Sequence, residues 1–138
     1  MIEDEITIRS LLEATHRIAV LGIKRGVKDD AHRVPAYLQA QGYRILPVNP
    51  RLENVLGEAC CSALSELPEA ADLINVFRAP EHIPGHVDEI LALRVRPAAV
   101  WMQLGIRHEA SALRLHEAGI AVVQDRCIMV DHRRWLHP

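Results

Sequence analysis

Five short apolar runs, at 17–22, 43–48, 72–77, 98–102 and 120–124, alternate with stretches of helical periodicity along this chain. That alternation predicts an α/β fold, because strands apolar on both faces belong to a parallel sheet covered by helices on both faces. The first run, Arg17-Ile-Ala-Val-Leu-Gly22, ends in glycine before a polar and basic loop. A buried parallel strand enters a phosphate-binding turn in this way. Right-handed crossovers then favour a single Rossmann-like, doubly wound domain with a five-stranded parallel sheet in the order 3-2-1-4-5.

The elements follow in order. Residues 4–15 place Ile6, Ile8, Leu11 and Leu12 on one helical face, a leading helix within 1–16. After the first strand, a loop runs from Ile23 to about Ala31. A helix then carries Val34, Tyr37 and Leu38 and stops at Gly42, a natural C′ residue. Pro35 belongs in a first helical turn, so this helix is expected to start near Ala31 or His32. The loop before it is then longer than a tight Gly-x-Gly-x-x-Gly turn. A short helix near Ser62–Leu67 leads to the third strand, which Arg78-Ala-Pro80 ends. A helix with Val87, Ile90, Leu91 and Leu93 follows, then the fourth strand, a helix at about 107–118 stopping at Gly119, and the fifth strand.

A chain of 138 residues buries one core, so one domain spanning 1–138 is expected. Aromatics are only 4%, which leaves the core to Leu, Val, Ile and Ala. Sixteen basic against eighteen acidic side chains give a net charge of -2, no field that calls for nucleic acid or an anionic membrane. No run reaches the roughly 18 apolar residues of a membrane span. The start, Met1-Ile-Glu-Asp-Glu, is acidic where a secretory signal is basic, so a cytoplasmic location is expected. Adjacent Cys60 and Cys61 with a distant Cys127 argue against a disulfide scaffold.

In a sheet of this kind the ligand crevice lies at the carboxyl ends of the strands beside the switch point. The segments 22–33, 49–51, 77–80 and 102–105 are placed there. In the first, Lys24, Arg25, Lys28 and Arg33 precede a helix N-terminus, whose free N–H groups favour anions. Asp29 and Asp30 offset part of that charge, and one of them suits capping; a solvated charged loop is the plainer alternative. The second ends in Asn49-Pro50-Arg51, where an NAD enzyme usually places an acid against the ribose hydroxyls. An arginine there suits a phosphorylated ribose, with coenzyme A and NADP as candidates. Phe77 and Arg78 offer an aromatic edge and a further cation. Trp101 reads as core, whereas Gln103 and Gly105 offer an amide and a close backbone approach.

The catalytic inventory is thin. Gly-x-Ser-x-Gly, Walker A and His-Glu-x-x-His patterns are absent. His82 and His86 have the i, i+4 spacing of metal ligands, but Pro84 and Gly85 disturb a regular helix between them, so no metal is expected. Cys127 beside Arg126 reads as a buried, inert thiol rather than an activated one.

Taken together and in order, several motifs resemble the small stand-alone CoA-binding proteins of bacteria. They are Ile18-Ala-Val-Leu-Gly22, Arg33-Val34 with Tyr37-Leu38, Gly42-Tyr43, Pro47-Val-Asn-Pro50, Leu56-Gly57, Val76-Phe-Arg78 with Pro80-Glu81, Trp101-Met-Gln-Leu-Gly105 and Asp125-Arg-Cys127. The family is similar to the N-terminal domain of the succinyl-CoA synthetase α subunit, and the resemblance runs from Arg17 to Arg134. It implies CoA or acyl-CoA bound across the strand ends. The implied phosphate contacts are Gly22, Ile23, Lys24, Arg25 and Gly26 with His32, Arg33 and Val34. Asn49, Pro50 and Arg51 would lie by the ribose phosphate, and Phe77, Arg78, Pro80, Gln103, Leu104 and Gly105 along the remainder.

One departure stands out. Family members often carry Gly-Ala-Ser or Gly-x-Ser where this chain reads Gly22-Ile23-Lys24, so the grip falls to backbone N–H groups and Lys24, Arg25 or Arg33. The synthetase's nucleotide-binding module and phosphohistidine segment have no room, which excludes ligase chemistry on this chain alone. The expected function is a carrier, sensor or regulatory module that binds CoA without catalysis of its own. Its rivals are a small NADP-dependent oxidoreductase, disfavoured by the broken glycine fingerprint, and an interaction protein with a vestigial crevice. A homo-oligomer and a protein partner are left open.

Overall fold

The computed structural model describes residues 5–136, and the side chain of Ile6 lies outside what is described. Along the chain run α1 (Glu5–Ala14), β1 (Arg17–Leu21), α2 (Asp30–Ala40) and β2 (Arg44–Val48). A small hairpin of β3 (Asn54–Val55) and β4 (Glu58–Ala59) follows, then β5 (Leu73–Val76) and α3 (Ile83–Leu91). The chain continues through β6 (Ala99–Met102), α4 (Glu109–Glu117) and β7 (Ala121–Val123) to α5 (Ile128–Leu136). In place of the helix expected at 62–67 there is one 3-10 turn, Leu64–Glu66.

All five long strands run parallel in one sheet. Successive side chains point to opposite faces of a strand, and each face has its own apolar layer. On one, Ile8 and Leu12 of α1, Val34 and Leu38 of α2 and Ile128 of α5 pack over Ile18, Val20, Leu73, Trp101 and Val123. On the other, Ile83, Val87 and Ile90 of α3 and Ala112 and Leu115 of α4 cover Ala19, Leu21, Ile74, Val76, Val100 and Met102. Trp101 is fully buried, and its Nε1 donates to the Arg126 carbonyl at 2.8 Å.

The strand order corrects the expectation. It is β2-β1-β5-β6-β7, or 2-1-3-4-5 when the five parallel strands are counted in sequence, not 3-2-1-4-5. The third strand thus lies against the first, and β2 is the edge. Right-handed crossovers permit either order, but Pro47 does not. It lies within β2 opposite Val20, and a proline has no N–H for a second neighbouring strand, so it belongs on an edge. The switch point falls between β1 and β5. From it α2 departs to one face of the sheet and α3 to the other.

Tyr43 ties α1 to the sheet. Its hydroxyl donates to the Leu12 carbonyl at 2.7 Å, a group the end of α1 leaves without an intrahelical partner. Burial pushes the phenol from its ordinary value of 10.0 to about 12, with smaller contributions from Tyr37 and Glu13. The unfolded chain therefore releases this proton first as pH rises. The phenol's contribution to stability is complete below about pH 10 and fades as pH climbs toward about 12. Tyr43→Phe should cost about 0.5–1.5 kcal/mol at neutral pH through the lost hydrogen bond. The same variant should also flatten the alkaline limb in chemical melts recorded from pH 8 to pH 11, a range chosen about the ordinary phenol value.

Candidate functional site

Three strand ends converge where β1 stops. The Gly22 N–H donates to the Val48 carbonyl at 3.0 Å, and Phe77 N–H donates to the Leu21 carbonyl at 2.8 Å. Gly22 has φ +87°, and a Cβ built on it would stand 2.5 Å from the Phe77 carbonyl oxygen and 3.1 Å from Arg78 Cδ. Only glycine lets the chain leaving β5 pass so near. Beside this crossing opens a crevice of about 450 Å3, walled by Gly22, Lys24, Asn49, Pro50, Arg51, Ser62, Phe77, Arg78, His86 and Glu89. A second hollow of about 260 Å3 adjoins it through Lys24, Phe77 and Arg78, and reaches Asp29, Asp30 and Ile106.

The loop carrying Lys24 is fixed by its backbone. α2 begins at Asp30, one residue before the expected start, and so holds Pro35 inside it. That proline withholds the N–H that would bond the Ala31 carbonyl. The Lys24 N–H takes the vacant carbonyl at 3.1 Å, and the Lys24 carbonyl accepts from His32 Nδ1 at 2.9 Å. Asn49 closes the other side. Its Nδ2 donates to the Ile23 carbonyl at 2.7 Å, and its Oδ1 accepts from the Arg51 N–H at 2.8 Å, an Asx turn that sets Arg51 at the rim. Ile23 itself points into the core and is fully buried.

The basic residues divide into two groups. Lys24, Arg51 and Arg78 line the crevice, and among the described residues none of them has a carboxylate within ion-pair distance. Arg33 instead bonds Asp30 at 2.7 Å, and that hydrogen bond raises its pKa. Arg25 and Gly26 lie on the exposed loop, where a Cβ on Gly26 would meet Asp29 Oδ2 at 2.5 Å. Val34 is core, and Pro80 opens the exposed turn before α3.

Gln103, Leu104 and Gly105 stand one strand further out, at the end of β6. With the third strand beside the first, residues 77 and 78 occupy the place by the switch point that the expected order would give to the end of β6. Gln103 is buried, and its Oε1 accepts from Asn75 Nδ2 at 3.2 Å and from the Ile128 N–H at 3.0 Å. Leu104 is exposed, and the Gly105 N–H bonds Asp125 Oδ1 at 2.6 Å.

Ser62 and Glu89 are crevice residues that the sequence did not single out, and His86 is one it weighed only as a metal ligand with His82. Pro84 stands in the first turn of α3, so the helix is regular through His86 and Glu89, three residues apart on one face. That spacing was the available signal. The Asn49 N–H donates to the Cys61 carbonyl at 2.9 Å and the Cys60 thiol donates to the Asn49 carbonyl at 3.6 Å. Both cysteines are free thiols that burial pushes up, which keeps them protonated at neutral pH. No group of three metal-ligating side chains occurs among the described residues, and no described helix is long and apolar enough to cross a membrane.

The family model of the CoA binding domain matches residues 16–133. The chain belongs to that family. YneT of Bacillus subtilis (strain 168) is 36% identical to it over 125 residues, 91% of each protein. A solved protein of Thermus thermophilus is 46% identical, with a TM-score of 0.90 over 96% of this chain and 98% of its own. A Pyrococcus horikoshii OT3 protein is 29% identical, with a TM-score of 0.90 over 96% and 92% of the two chains. A dinucleotide-forming acetyl-coenzyme A synthetase from Ca. Korarchaeum cryptofilum shares the fold at 17% identity and a TM-score of 0.69. This chain spans 83% of its own length in that match and 27% of the synthetase.

In a CoA-binding domain whose crevice opens beside a backbone crossing, the glycine at that crossing has no room for a Cβ. Gly22→Ala should destabilise the fold by about 1–3 kcal/mol, from left-handed strain together with the collision at Phe77. Gly42 has φ +101° but open space around its missing Cβ. Gly42→Ala should therefore cost visibly less in the same thermal melts. Equal losses would mean that backbone strain alone, and not the crossing, restricts Gly22.

Proposed function

We propose that this chain is a single CoA-binding domain holding CoA or an acyl-CoA at the β1, β2 and β5 strand ends. It would act as a carrier, sensor or regulatory module. The observation that carries this reading is the set of three cations, Lys24, Arg51 and Arg78, around one crevice without a carboxylate partner. Like charges held together without counter-charge favour an anion between them. The crevice volume of about 450 Å3 falls in the range of small-molecule sites, roughly 300–1,000 Å3.

Within the site, Arg51 would meet the ribose 3′-phosphate, because it stands at the end of the second strand, where the ribose of a dinucleotide lies in related sheets. Lys24 and Arg78, which border both hollows, would meet the pyrophosphate. Asn49 supports the reading indirectly, since its side chain holds the loop and the Arg51 backbone. Arg33 contributes little to the grip, being engaged with Asp30.

Calorimetric titration of CoA, NADP and NAD tests the ligand. CoA should bind tightest, and NADP binding tenfold more strongly than CoA would replace this reading with a nicotinamide one. Arg51→Ala should weaken CoA about ten- to a hundredfold, the worth of a hydrogen bond to a charged group. Dephospho-CoA, which lacks the 3′-phosphate, should be almost unaffected by the same change. Lys24→Ala should weaken both ligands alike. Arg33→Ala should change either by less than roughly threefold, as expected on removing an exposed ion pair. The Lys24 and Arg51 losses should shrink as salt rises, because exposed charges are screened.

A further inference from the structure

Among the described residues, Arg78 alone of the three crevice cations has its side chain held by another side chain. Its Nε donates to His86 Nε2 at 3.3 Å. A guanidinium N–H can only donate, so His86 Nε2 presents a lone pair and the ring proton is on Nδ1. That Nδ1–H donates in turn to Glu89 Oε1 at 2.6 Å. Hydrogen bonds therefore run in one direction, from Arg78 through a neutral His86 to Glu89. The His86 side chain is 18% exposed and that of Glu89 39%, so this chain of contacts forms the α3 wall of the crevice.

A carboxylate in the wall of a crevice with three cations is a liability for anion binding. Paired directly with Arg78, whether end-on or side-on through Nε as Arg126 pairs Asp131, Glu89 would occupy at least one terminal nitrogen and break the end-on fork those two offer a phosphate. The interposed imidazole prevents that pairing. It takes Arg78 by Nε, and no other described residue bonds either terminal nitrogen. Arg78 and Lys24 border both hollows, so a fork at Arg78 stands at the junction between them.

We infer that His86, oriented by Glu89, is a positioning residue that holds Arg78 by Nε so that its terminal nitrogens grip the pyrophosphate of the ligand. The inference rests on the CoA reading above and assigns a role to two residues outside the family motifs. His86 touches no reacting group; it acts through Arg78.

The test uses the full chain with CoA and inorganic pyrophosphate as probes, in His86→Ala, His86→Gln, Glu89→Ala and Arg78→Ala variants and the His86→Ala/Arg78→Ala double variant. His86→Ala should weaken both probes about three- to tenfold, the worth of one hydrogen bond. His86→Gln, whose amide oxygen can accept at the place of Nε2, should restore most of the loss. In the Arg78→Ala background, His86→Ala should cost nothing further, since a residue acting only through Arg78 is fully coupled to it. Imidazole 15N spectra should show His86 as the Nδ1–H tautomer, with that population falling in Glu89→Ala. Additive losses in the double variant, an Nε2–H tautomer in the parent, or pyrophosphate binding indifferent to His86 would each overturn the inference. A parent that takes pyrophosphate through Arg78 but not CoA would leave the fork standing and remove the CoA reading. A parent that binds neither would remove both.

Discussion

The close passage of the chain leaving β5 over the end of β1 shapes everything that follows. Gly22 bonds β2 through its N–H, while the Phe77 carbonyl lies where a Cβ would have to stand. Three strand ends are thereby drawn to one point. The helices that continue β1 and β5 then leave on opposite faces of the sheet. A split of that kind opens a gap at the carboxyl edge that no side chain of the core fills. The site is thus a consequence of topology, and the loops only furnish its charges.

The furnishing depends on backbone groups that helices and strands leave over. Pro35 frees the Ala31 carbonyl, Lys24 takes it, and His32 returns a second bond to Lys24. Asn49 holds Ile23 on one side and Arg51 on the other. Each such bond contributes about 1 kcal/mol net. Their larger effect is geometric: the backbones of Lys24 and Arg51 are fixed before any ligand arrives, so less ordering remains to oppose binding. Buried Ile23 anchors the loop, and Lys24 follows it at the position where the resemblance leads one to expect a serine, so on the proposed reading a charged side chain takes the place of a hydroxyl.

The five strands were legible in the sequence, because runs apolar on both faces have few other places to go. Of the expected segments 22–33, 49–51, 77–80 and 102–105, the crevice is bordered by Gly22, Lys24, residues 49–51, Phe77 and Arg78. The strand order was not read correctly, although Pro47 carried the signal that β2 is an edge. That error had a functional consequence, for it put Gln103, Leu104 and Gly105 on the same footing as Phe77 and Arg78. Charge positions were visible, but charge pairing was not. Arg33 and Asp30 lie at i, i+3 and meet once α2 begins at Asp30, one residue earlier than Pro35 suggested. His86 and Glu89 share the same spacing inside α3, whereas His82, the partner weighed for His86, lies outside that helix, whose first turn holds Pro84.

What separates the crevice cations from the other basic residues here is the absence of a carboxylate partner among the described residues. Most basic side chains with a defined contact meet a carboxylate close by, as Arg9 does Glu13, Arg114 Asp88 and Arg126 Asp131. Lys24, Arg51 and Arg78 do not, despite a chain with more acids than bases. Three acids border the two hollows. Asp30 is drawn off by Arg33 and Glu89 by His86, while Asp29 forms no ion pair with any of the three cations. The crevice keeps its positive character through these diversions rather than through an excess of basic residues. On the proposed reading, that is how a protein of net charge -2 would still present a phosphate site.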